Sequence, residues 1–159
     1  MNTLRVLVLQ GPNLDLLGTR EPAIYGTETL AEIHAALAAR AAELGVAVLF
    51  FQSNHEGALI DRLHRRDFDA AIVNAAGLTH TSVSLRDALL AIERPFVEVH
   101  LSDPATREPF RRLNFLEDIA LARFVGLHAA GYHRALEELV RRAAAGEIRV
   151  HGGGVVEHG

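Results

Sequence analysis

Five short apolar runs separated by stretches of helical periodicity constrain this chain more than any other feature. Residues 4–9, 46–51, 70–73, 96–100 and 123–127 read as strands, and their apolar residues run on rather than alternating with polar ones. Strands apolar on both faces need cover on both faces, which calls for a parallel sheet between two helical layers. The intervening segments supply those layers. Residues 28–44 place Leu30, Ile33, Leu37, Ala41 and Leu44 on one stripe, begin at Thr27 or Thr29 as a cap and stop at Gly45. Residues 57–66, 82–92 and 132–145 complete the helical set. This alternation predicts a flavodoxin-like three-layer α/β fold. Its five-stranded parallel sheet has the order 2-1-3-4-5, helices cover both faces, and ligands bind at the carboxyl ends of the strands beside strands 1 and 3. A single catalytic domain is expected over residues 1–145. Residues 146–159, with Gly152, Gly153 and Gly154, are expected to form a mobile tail.

Composition removes whole mechanisms. The chain has no cysteine, and all sixteen basic residues are arginines. Thiolate nucleophiles, disulfides, cysteine-bound zinc, lysine Schiff bases and a P-loop lysine are therefore excluded. A net charge of -4 provides no field for a polyanion, so no nucleic-acid partner is expected. No apolar run approaches the ~20 residues of a membrane helix, and the first residues lack the pattern of a signal peptide. A cytoplasmic location without membrane contact is the expectation.

Three loops should open on the carboxyl edge of the sheet, and they hold the residues hardest to explain structurally. The first, residues 11–26, spans about sixteen residues where such loops usually take about two to six. It carries Asn13, Arg20, Glu21 and Tyr25, and its length suggests a lid. The second runs from Asn74 through His80 to Ser82 and offers polar groups at a helix start, which suits a carboxylate or an oxyanion. The third begins at His100, continues through Leu101 and Ser102, and reaches Arg107, Arg111 and Arg112. Taken singly, each has an ordinary role available: His100 as a strand-end histidine, Ser82 as a cap, Tyr25 as a packed aromatic. Their convergence on one crevice favours a site. His34, His64, His128, His133, His151 and His158 show no zinc-helix spacing and read as structural or solvated. The loop after strand 1 lacks the glycine pattern of a dinucleotide cradle, so no cofactor is expected.

At these residues the chain resembles the type II 3-dehydroquinate dehydratases. The run from Gly11-Pro12-Asn13 to Arg20-Glu21-Pro22 with Tyr25-Gly26 is similar to that family's lid signature. Gly77-Leu78-Thr79-His80-Thr81-Ser82 with Arg86-Asp87 is similar to its second motif, and Glu98-Val99-His100-Leu101-Ser102 with Arg107 to Arg111 to its third. The resemblance spans residues 4 to about 145. It implies reversible conversion of 3-dehydroquinate to 3-dehydroshikimate and water, by anti elimination through an enolate, in the shikimate pathway and without a cofactor. It further implies Tyr25 as general base, Arg20 as its activator, His100 as the acid for the departing hydroxyl and Asn13 as the holder of a water at the enolate oxygen. Asn74, His80, Leu101, Ser102 and Arg111 would bind the substrate, with Asp87 arriving from a neighbouring subunit of a dodecamer built from trimers. Two positions depart from the family pattern, Ala76 in place of a glycine and Asp103 in place of an asparagine. If that glycine serves a positive φ, alanine there costs roughly 1 kcal/mol.

The chemistry agrees with these residue types. A proton α to a ketone needs a strong, positioned base, and tyrosinate, with an ordinary pKa near ~10, becomes available beside a permanent cation. Two rivals remain at this level. One is a non-catalytic module that keeps the oligomeric shell, and the other is a flavin carrier or receiver domain, for which the loop after strand 1 and the missing lysine fit poorly.

Overall fold

The first strand sets the layering. In β1 (Arg5–Gln10) the side chains of Val6 and Val8 enter one core, while Leu7 and Leu9 enter another on the opposite face, and all four are buried. A two-residue side-chain period delivers apolar groups to both faces only where helices cover both. The structure is a computed structural model describing residues 2–19 and 21–152, with the backbone alone of Tyr25. Its sheet comprises β1, β2 (Ala47–Gln52), β3 (Ala70–Asn74), β4 (Phe96–His100) and β5 (Ala122–Val125). The strands are parallel throughout and lie in the order β2-β1-β3-β4-β5. This is the expected arrangement.

Five helices accompany the strands: α1 (Pro22–Tyr25), α2 (Leu30–Leu44), α3 (Glu56–His64), α4 (Val83–Ala91) and α5 (Ala130–Ala144). Ile33 and Leu37 of α2 pack with Tyr132, Leu136 and Leu139 of α5 on the Val6 face. Leu59 and Leu63 of α3 pack with Leu85 and Leu89 of α4 on the Leu7 face. The choice of cap for α2 falls on Thr29, whose hydroxyl accepts from Glu32 N at 3.1 Å, and the helix ends on left-handed Gly45. Several one-turn 3-10 helices, among them Leu14–Leu16 and Ala76–His80, occupy stretches that the periodicity left as loops.

The expectation of an unpacked tail from residue 146 is corrected in part. Ile148 is buried in the Val6-side core. Beyond it, His151 N donates to Asp69 Oδ1 at 2.7 Å, and Arg5 Nη2 donates to the His151 carbonyl at 3.4 Å. Asp69 is fully buried just ahead of β3, and a buried carboxylate needs such donors; Arg5 N, at 2.8 Å, is another. Gly146 and Gly152 therefore do not free this segment, because an isoleucine and a carboxylate hold it. A Cβ built on Gly152 would lie 3.3 Å from Asn2 Nδ2, so residues 2 and 152 meet at this amino edge of the sheet. Residues 153–159 lie outside the described residues.

Candidate active site

Register brings the site together. Gln10 of β1 pairs with Asn74 of β3, and His100 ends β4 one strand further along. Between the loops that follow lies a cavity of about 150 Å³. Its walls include Asn13, Asn74, His80, His100, Ser102 and Arg111, with Leu101 also lining it. With Arg107 of the third loop, eight of the residues singled out in the sequence therefore share one space. Asp87 does not line it and lies exposed on α4. Arg20, together with the side chain of Tyr25, lies outside the described residues; the Tyr25 backbone closes the single turn of α1.

The first loop is anchored over its opening half. A Cβ on Gly11 would fall 2.5 Å from the Ala75 carbonyl oxygen, so only glycine lets these two segments pass. Asn13, at φ 69°, donates its N–H to Asn54 Oδ1 at 2.9 Å, and Leu14 and Leu17 are buried in the core. These bonds fix Asn13 at the mouth of the cavity.

In the second loop Ala76 has a φ of 52°, so the left-handed conformation that favours glycine is met here by alanine. Asn74 compensates, its Oδ1 accepting from Ala76 N at 3.1 Å. His80 Nδ1 lies 2.6 Å from the Leu113 carbonyl, which can only accept, so Nδ1 carries the proton. Burial, ahead of the charges of His100 and Arg111, holds the His80 pKa below its ordinary value. Neutral His80 thus leaves Nε2 as an acceptor for a ligand hydroxyl.

Just ahead of the third loop, β4 carries a residue to which the motif assigns no role of its own. Glu98, fully buried two positions before His100, accepts from Arg123 Nε at 2.6 Å and from Asn114 Nδ2 at 2.9 and 3.0 Å. Its Oε2 lies 3.4 Å from His100 Nε2, close enough for an ion pair with a protonated imidazole but not aligned as a hydrogen bond. Burial pushes the Glu98 pKa up, and His100, Arg123 and Asn114 together outweigh it, leaving the carboxyl below its ordinary value. A charge inside the apolar run Phe96-Val97-Glu98-Val99 was the available signal, because a buried carboxylate requires partners. Two further missed groups are Gln10 and Tyr132, which stand behind Asn74 in the core. Asp103 caps the 3-10 turn Pro104–Thr106 by accepting from Ala105 N at 3.0 Å, a bond an asparagine carbonyl makes equally well. Arg111 donates to Glu108 Oε2 through Nε at 2.5 Å, which leaves its terminal nitrogens for an anion. Among the described residues, no three His, Cys, Asp or Glu side chains gather to hold a metal ion.

This arrangement offers an imidazole backed by a carboxylate, a neutral histidine acceptor, amides and an arginine, which suits acid-base work on a hydroxylated carboxylate. The sequence matches the family model for class II dehydroquinases over residues 4–140. A 3-dehydroquinate dehydratase from Sodalis glossinidius is 55% identical over 139 residues, covering 86% of this chain and 93% of that protein. One from Bordetella pertussis is 54% identical over 140 residues, covering 86% and 97%. Among solved structures, the type II dehydroquinase of Butyrivibrio crossotus superposes with a TM-score of 0.84 at 34% identity, covering 86% and 97%. Fold, cavity and sequence agree, and the chain belongs to the class II dehydroquinase family.

Proposed function

We propose that the protein is a hydro-lyase that interconverts 3-dehydroquinate with 3-dehydroshikimate and water in the shikimate pathway, without metal or cofactor. The observation that carries this reading is the convergence of Asn13, Asn74, His80, His100, Ser102 and Arg111 on one cavity in a chain of this family. Tyr25, ionised beside Arg20, takes the proton α to the ketone, and the electron pair moves onto the ketone oxygen. Asn13 holds a water against that enolate oxygen. The enolate then collapses, the carbon–oxygen bond breaks, and protonated His100 gives its proton to the departing hydroxyl, which leaves as water. With Nε2 turned towards Glu98, Nδ1 is the nitrogen that delivers the proton. Ser102, His80, Asn74 and the Leu101 backbone bind hydroxyl and carboxylate oxygens, and Arg111 neutralises the carboxylate.

The same reading includes a cytoplasmic enzyme assembled as a dodecamer built from trimers, with Asp87 reaching a neighbouring subunit's site. Val83 and Leu90, each about half exposed, flank Asp87 on one stripe of α4, which supports an intersubunit contact there. The deciding experiment is the ultraviolet absorbance of the conjugated enone product when purified protein meets 3-dehydroquinate. Absorbance should rise with EDTA present and after borohydride treatment alongside substrate. Folded protein that produces no enone would overturn the reading.

A further inference from the structure

Behind the cavity, four side chains from four different elements form one hydrogen-bonded line, and its direction can be worked out. Asn74 Oδ1 accepts from the Ala76 N–H, so the Asn74 nitrogen is the end that meets Tyr132 Oη, at 2.9 Å, and it donates. Tyr132 then sends its own proton to Gln10 Oε1 at 2.7 Å. Gln10 Nε2 is thereby directed at His34 Nε2, 3.3 Å away, and that ring nitrogen must accept. His34 stacks on Phe50 with ring centroids 4.2 Å apart. A single backbone N–H thus sets the polarity of the whole line. Tyr132 and Gln10 have no solvent exposure and Asn74 only 3%.

We propose that Tyr132 is a positioning residue for the dehydration: while the Ala76 N–H holds Oδ1 of the Asn74 amide, the Tyr132 hydroxyl accepts from Nδ2 and pins its other end, so that only the second N–H and second carbonyl lone pair of Asn74 remain for the substrate. This rests on the reading of the cavity as the dehydroquinate site. An amide free to rotate would offer the ligand either a donor or an acceptor at the same point and would also release Ala76 from the bond that supports its left-handed turn. Tyr132 is one of two tyrosines in the chain. It is unsuited to be the base itself, because its proton is committed to Gln10 and burial pushes its pKa up to about 12.

The test is a double-mutant cycle of Tyr132→Phe and Asn74→Ala, with kcat and KM for 3-dehydroquinate measured beside Tm. Tyr132→Phe should lower kcat/KM by about 10-fold, the worth of one oriented hydrogen bond, yet change the Asn74→Ala enzyme by less than about 2-fold. Equal losses in both backgrounds, or a lowered Tm with unchanged kcat/KM, would overturn the proposal. Should Tyr132→Phe not fold, Gln10→Met removes the acceptor that polarises the phenol and should show the same non-additivity with Asn74→Ala. A wild-type protein inactive on 3-dehydroquinate would instead remove the reading beneath it, a result distinct from an active enzyme with additive losses.

Discussion

Glu98 stands two residues before His100 on the same face of β4, with its Oε2 3.4 Å from the imidazole Nε2 and no solvent exposure of its own. A buried carboxylate at that distance stabilises the imidazolium from which the proposed acid gives its proton. Glu98→Gln keeps the shape and removes the charge, so kcat should fall by about 10-fold or more while KM moves little. Steady-state kinetics at neutral pH check this, and an unchanged kcat would remove Glu98 from the mechanism.

The same carboxylate makes stability depend on acid. Its pKa in the folded protein lies below its ordinary value of 4.5, so between the two the unfolded chain binds more protons and stability rises with pH. The contribution is present above about pH 4.5 and is lost as pH falls through the folded value. Urea midpoints of the wild type should therefore drop on acidification below that point, and those of Glu98→Gln should drop less.

His100→Ala should separate the two halves of the reaction. An acid for the leaving group acts after the enolate has formed, so exchange of the α proton with deuterated solvent should persist while elimination is lost. Nuclear magnetic resonance of the substrate in deuterium oxide follows both. Parallel loss of exchange and elimination would make His100 a binding group instead.

The proposed base and its activator are distinguishable by pH. Tyr25→Phe has no phenol to ionise and should lose most of kcat at every pH. Arg20→Ala keeps the phenol but leaves it protonated near neutrality, so its rate should partly recover as pH approaches about 10. Profiles of kcat against pH, with circular dichroism to verify folding, decide between them. Near-normal kcat in Tyr25→Phe would place the base elsewhere.

Ala76 holds a φ of 52° that glycine adopts freely. Relief of that strain exceeds the entropy glycine adds to the unfolded chain by a small margin, so Ala76→Gly should stabilise by up to about 1 kcal/mol and leave kcat/KM intact. Chemical denaturation provides the measurement, and a destabilised variant would show that the turn is not strained.

The sheet and its order were legible because they depend on short-range regularities. Continuous apolar runs such as residues 4–9 have one reading in a chain that alternates them with helices, and Gly45 marks its own helix end. The residues that line the cavity were legible because strand ends place them on one edge. What stayed hidden depends on pairings across the chain. Glu98 finds Asn114 and Arg123 at separations of 16 and 25 residues, and Tyr132 meets Asn74 and Gln10 at 58 and 122. His34 has no feature in its helical neighbours that reveals it as the terminus of a line of buried amides. The docking of residues 147–151 was missed for the same reason, because its acceptor Asp69 lies 82 residues away from His151. The one-turn 3-10 helices are too short to display any period.

The meeting of Asn2 and Gly152 at the amino edge, across the sheet from the cavity, makes the order of elements along the chain separable from their order in space. A short peptide joining those two positions closes a small gap at little entropic cost, and new ends can be opened at the exposed Arg65-Arg66 turn on that same edge. Such a circular permutant would begin at β3 and finish with α3. All three loops around the cavity would remain uninterrupted.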